Sequence, residues 1–162
     1  MTSKQKITPC LWFDGNAEEA VRFYVSVFAN SSVDDEQRAT IDYPGGKEGA
    51  VLLIKFTLAG QGYLALNGGP HDTFNDAISL SVDCEDQAEV DRLWNALIAE
   101  GGKPVQCGWL KDTYGLSWQI VPRRLPELLS DPDTAKAKRV MQAMMQMVKI
   151  DVAKLEAAAA AK

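Results

Sequence analysis

The chain has 162 residues, 46% of them apolar and 24% charged, with a net charge of −5. This size and composition suit one compact domain or two small modules, which excludes disordered, collagen-like and disulfide-stapled architectures. The acidic balance argues against a nucleic-acid partner, and no apolar run reaches the ~18 residues of a membrane span. The opening MTSKQKITP lacks the apolar core of a signal peptide, so a cytoplasmic location is expected, with Cys10, Cys84 and Cys107 reduced. The three thiols are far apart in sequence and do not spell a zinc site.

In chain order, a strand is predicted over Ile7 to Phe13 and a helix over 16–28. Three β-like runs follow, Ser32 to Tyr43, Ala50 to Leu58 and Gly62 to Asn67, separated by the turns Pro44-Gly45-Gly46 and Gly60-Gln61-Gly62. The pattern then repeats. A strand is predicted over Ala77 to Cys84 and a helix over 86–98; shorter β runs follow at Lys103 to Trp109, near Lys111, and at Leu116 to Pro122. The two helices match in register. Ala20, Phe23, Tyr24, Val27 and Phe28 in the first correspond to Val90, Leu93, Trp94, Leu97 and Ile98 in the second, one apolar stripe each. Asn16 and Asp86 stand at the N-cap, with Glu19 and Glu89 where a capping-box acid belongs.

Each half therefore reads β-α-β-β-β, which makes the fold class α+β: two modules, about 7–68 and 77–122, forming paired, barrel-like sheets within one domain over 1–122. Pairing two such units buries their second sheet faces and leaves a cleft. Residues 123–162 form a C-terminal helical extension, capped at Asp131-Pro132-Asp133. Its stripe of Val140, Met141, Met144, Met145, Val148 and Val152 either packs on the body or contacts a second copy. Ala157 to Ala161 read as a fraying end.

Strand parity selects the candidate site. In Ala77 to Cys84, the apolar Ile78, Leu80 and Val82 face the helix and turn Ser79 and Ser81 to the cleft; Gln119 points the same way from the last strand. Carrying the helix register back through the repeat sends Ser79 and Ser81 to Pro9 and Leu11, and matching Gly115 to Gly62 sends Gln119 to Leu66. On this parity Trp12 and Trp118 fall on the helix side. Trp109, in Cys107-Gly108-Trp109, is the aromatic candidate for the rim or cleft. Asn67 either lines the cleft or starts a turn. His71, the one histidine, is either a loop anchor or a base or ligand contact at the cleft mouth, with Asp72 and Asp76 nearby. Cys107 reads as a structural thiol rather than a nucleophile, and Asp112-Thr113-Tyr114-Gly115 as a tight turn.

The segments WFDGNAEEAVRFY, ALNGGPH and CGWLKDTYGLSWQIVP resemble the PhnB-like branch of the vicinal oxygen chelate superfamily, over nearly the whole chain. That superfamily includes glyoxalase I, bleomycin-resistance proteins and extradiol dioxygenases, and the branch often carries the label 3-demethylubiquinone-9 3-methyltransferase. The resemblance implies a homodimer. In its metal-dependent members it also implies a divalent ion held by His and Glu side chains at the cleft. Here those positions are Pro9 or Leu11, Leu66, Ser79 or Ser81, and Gln119, none of them a carboxylate or imidazole, so no catalytic metal and no cofactor are expected. A small-molecule-binding protein or metal-free enzyme is the leading expectation. The alternatives are a glyoxalase-type metal enzyme and a methyltransferase. The latter needs a seat for S-adenosylmethionine, and Gly45-Gly46, Gly68-Gly69 and Gly101-Gly102 are isolated pairs that open no helix.

Overall fold

The computed structural model describes residues 4–162 and divides into two compact units, one running up to Phe74 and the other Asn75–Lys162. The C-terminal helices fall within the second unit. Each unit has one four-stranded mixed sheet and a helix on one of its faces.

The first unit runs β1 (Cys10–Phe13), α1 (Ala17–Val27), β2 (Ser32–Arg38), β3 (Val51–Leu58) and β4 (Gln61–Asn67). Its sheet order is β1-β4-β3-β2, with β1 parallel to β4 and the other pairs antiparallel. α1 buries Ala17, Ala20, Val21, Tyr24 and Val27. Phe23 and Phe28 are only half-buried, so the stripe sits slightly toward Val21. Leu11, Phe13, Ile54, Phe56 and Ala65 supply the sheet side of this core. β2 ends at Arg38 rather than Tyr43. Two register shifts along β2 loosen its pairing, and Tyr43 leaves the sheet to donate its hydroxyl to Asn67 O at 3.0 Å.

Asn67 secures this unit. Its side chain is buried at the end of β4; Oδ1 accepts from Ala17 N at 2.9 Å and Nδ2 donates to Val51 O at 2.9 Å. The orphan amide at the start of α1 is thus satisfied from across the sheet, while Asn16, the expected cap, makes no side-chain capping bond. The neighbouring loops are close-packed. A Cβ on Gly68 would stand 2.3 Å from the Trp12 ring, and one on Gly45 would stand 2.5 Å from Asn67 O.

The second unit repeats the order with β5 (Leu80–Cys84), α2 (Gln87–Ile98), β6 (Lys103–Pro104), β7 (Trp109–Lys111) and β8 (Ser117–Pro122), in the sheet order β5-β8-β7-β6. Asp86 caps α2 by accepting from Glu89 N, and the Glu89 carboxylate accepts in return from Glu85 N, one residue before the position a capping box would use. The strand expected over Lys103 to Trp109 is split. Cys107 (φ 59) and Gly108 (φ 82) are both left-handed, which reverses the chain between β6 and β7. Buried Asp112 organises the next turn, accepting from Tyr114 N, Leu116 N and Trp118 Nε1.

The tail folds as α3 (Arg124–Leu129), α4 (Thr134–Met144) and α5 (Val152–Ala160) around Leu125, Leu128, Val140, Met147, Ile150 and Leu155. Asp133 caps α4 and Asp151 caps α5. The expected Met stripe is not one helical face. α4 stops at Met144 and the chain turns, so Val140 is buried while Met141, Met145 and Val148 are exposed. Nor does the alanine run fray: Leu155 and Ala159 are buried, and the Arg139 guanidinium donates to Ala158 O and Ala159 O.

Two outcomes follow for stability and reactivity. Asn67→Ala leaves Ala17 N and Val51 O buried without partners and should cost on the order of 2–4 kcal/mol in urea unfolding. Burial, reinforced by Glu89 and Asp83, pushes the Cys84 thiol up to about 12. A thiol-disulfide reagent at pH 8 should therefore modify Cys84 only as fast as the protein unfolds.

Candidate functional site

Strand pairing determines which side chains share a face. In the second sheet Ser81 lies beside Gln119, and Gln119 beside Trp109, so one row crosses β5, β8 and β7. Leu80, Trp118, Val82 and Ile120 occupy the opposite, helix-covered face. The row is partly open: Gln119 and Trp109 are half-buried and Ser81 is exposed. Ser79 joins it just before β5, where its Oγ accepts from Gln119 Nε2 at 2.9 Å. Of the sequence candidates, Ser79, Ser81, Trp109 and Gln119 are thus brought together.

The corresponding row of the first sheet is Trp12, Leu66 and Leu53, all half-buried. This corrects the repeat as read from sequence. Ser81 corresponds to Trp12 rather than Leu11, and Ser79 to Cys10 rather than Pro9. The link from Val82 to the cap Asp86 is one residue longer than that from Phe13 to Asn16, so the helix register does not carry into the strands. Leu11 pairs with Ala65 in the core, and Trp12 stands on the other face with its Nε1 donating to Gly69 O at 2.9 Å. Only the spacing between strand and cap could have revealed this shift.

Asn67 and His71 are not on the open rows. The Asn67 side chain is committed to the two bonds that hold α1 and β3. His71 is exposed on the loop after β4 and forms no hydrogen bond with any described residue. Cys107 is half-buried, in the reversal before Trp109.

Charge around the second row is balanced. Lys111, on the same face as Trp109, pairs with Asp76 at 2.9 Å, and Ser117 Oγ bonds the same carboxylate at 3.0 Å. Asp83, on the same face as Ser81, pairs with Arg123 at 3.0 Å. Lys111 and Ser117 hold the Asp76 carboxyl below its ordinary range. Among the described residues, no three His, Cys, Asp or Glu side chains gather as a metal-holding group. Neutral hydroxyls and an amide are poor ligands for zinc, iron or nickel, so the row does not fit a divalent ion. The glycine pairs do not fit a nucleotide-type cofactor either. Gly45 and Gly68 are filled by Asn67 and Trp12, and neither they nor Gly101-Gly102 open a helix.

The Asp76 contacts are testable by titration. A lowered folded-state pKa contributes stability above the unfolded carboxylate value and loses it as pH falls through the folded value, so this contribution should begin to fade at about pH 4 and be gone once pH lies below the folded value. Lys111→Met should move the Asp76 transition upward in a carbon-detected NMR titration.

The comparisons agree with this architecture. The family model described as 3-demethylubiquinone-9 3-methyltransferase matches residues 5–121. The chain is similar to a PhnB protein from Bacillus cereus at 38% identity, covering 73% of this chain and 99% of that one, with a TM-score of 0.66. Protein PA1353 from Pseudomonas aeruginosa shares the fold at 22% identity and a TM-score of 0.53, covering 71% of this chain and 95% of that one. No curated protein matches. With the family model spanning most of the chain and a PhnB protein 38% identical to it, this protein belongs to the PhnB-like family described as 3-demethylubiquinone-9 3-methyltransferase.

Proposed function

We propose that this protein binds a small, neutral organic molecule on the open face of its second sheet, without a catalytic metal. The observation that carries the reading is the row of Ser81, Gln119 and Trp109, extended by Ser79. An indole offers a flat apolar surface, and the adjacent amide and hydroxyls offer directional hydrogen bonds, which is the usual make-up of a small-molecule site. With its amide nitrogen engaged by Ser79, Gln119 keeps its oxygen as an acceptor toward a ligand. Both flanking charges are paired, by Asp76 and by Arg123, so a neutral ligand suits the face better than an ion. A planar molecule with a hydroxyl and a carbonyl matches this chemistry.

The same proposal includes a cytoplasmic location and a homodimer. The exposed Met141, Met145 and Val148 support the dimer, which sedimentation would test. No described helix is long and apolar enough to cross a membrane.

A thermal-shift screen of neutral hydroxylated aromatic carbonyl compounds tests the proposal, because a ligand selective for the folded state raises the melting temperature. Gln119→Leu and Trp109→Ala should each weaken a hit by about tenfold, as expected for losing a hydrogen bond or an aromatic contact. Hits indifferent to both substitutions, or no hits, would overturn the reading. Elemental analysis of protein purified without chelator should show no stoichiometric transition metal, and calorimetry with S-adenosylmethionine should show no binding heat. A positive result in either returns the protein to metal-dependent or methyl-transfer chemistry.

A further inference from the structure

We infer that the C-terminal tail acts as a strap that sets the position of Trp109, with Gln87 as the positioning residue. The inference builds on the ligand-binding reading above, because Trp109 supplies the aromatic surface of that face. The chain reverses sharply between β6 and β7. Cys107 carries a side chain at φ 59, an uncommon conformation, and Gly108 follows at φ 82. The amides of this reversal are held by the tail: Cys107 N donates to Met147 O at 2.8 Å, and Gly108 N to Val148 O at 2.7 Å. The packing is equally close. A Cβ on Gly108 would lie 2.9 Å from Ile150 Cγ1. The next residue in the chain is Trp109.

The strap is itself held from α2. Gln87 Nε2 donates to Ile150 O at 3.1 Å, and Gln87 Oε1 accepts from Val152 N at 2.8 Å. Lys149 adds an ion pair with Asp91 at 2.6 Å. Because α2 packs on β7 and β8, a continuous set of bonds runs from helix to strap, from strap to reversal, and from reversal to the indole. The family match ends at residue 121, so the strap itself lies outside that match, while Gln87, Cys107, Gly108 and Trp109 lie within it. Gln87 touches no ligand in this scheme; it acts through the tail.

Fluorine NMR of the full chain labelled with 5-fluorotryptophan tests the inference without any ligand, so it succeeds or fails independently of the binding proposal. The four tryptophan signals are assigned by single Trp→Phe substitutions. Gln87→Ala should shift or broaden the Trp109 signal and leave Trp12 and Trp118 in place. An unmoved Trp109 signal, or equal movement of all four, would overturn the inference. Should Gln87→Ala fail to fold, amide exchange in the unsubstituted protein decides. Cys107 and Gly108 should be protected by roughly 100-fold or more, and exchange at the unprotected rate would overturn the strap.

Discussion

The structure depends on strand register in its two parallel pairs, β1 with β4 and β5 with β8. Side chains alternate between faces with a period of two, so a one-residue slip exchanges the core set for the open set. In the second sheet the register places Ser81 beside Gln119 and sends Trp118 and Ile120 under α2. In the first it places Trp12 beside Leu66 and sends Leu11 and Phe13 under α1. The open faces consequently differ in chemistry, one aromatic and aliphatic, the other hydroxyl, amide and indole.

Buried polar side chains at the strand ends keep these registers in place. Asn67 ties the end of β4 to the first turn of α1 and to β3, and Asp112 gathers two backbone amides and the Trp118 indole at the β7–β8 turn. Among the described residues no buried side-chain nitrogen or oxygen lacks a hydrogen-bond partner. A satisfied buried polar group restricts the alternatives open to the chain, because any shifted register would leave it unpaired in an apolar setting. The tail extends the same logic, with Gln87 satisfying a backbone amide and a carbonyl at once.

Much of the fold was legible because local rules act over a few residues. The apolar stripes of α1 and α2, the caps at Asp86 and Asp133, and the turns around Gly60 and Asp112 all follow from spacing and residue type. The face shared by Ser79, Ser81 and Gln119 was legible for the same reason. The first-half counterparts were not. The extra residue between Val82 and Asp86 is invisible to a comparison keyed on the helices, and it moved the correspondence from Leu11 to Trp12. The Met run misled in a similar way, since helical spacing continues on paper past Met144, where α4 ends.

By itself, the sequence determined the α+β class, the doubled β-α-β-β-β order and the parity of the second sheet, because each follows from short-range periodicity. Only tertiary structure decided that Asn67 caps a helix distant in sequence, that Trp12 stands on an open face, and that the tail holds the reversal before Trp109. Those outcomes rest on contacts between residues far apart in the chain, and such contacts depend on how closely backbones pack around positions like Gly68 and Gly108.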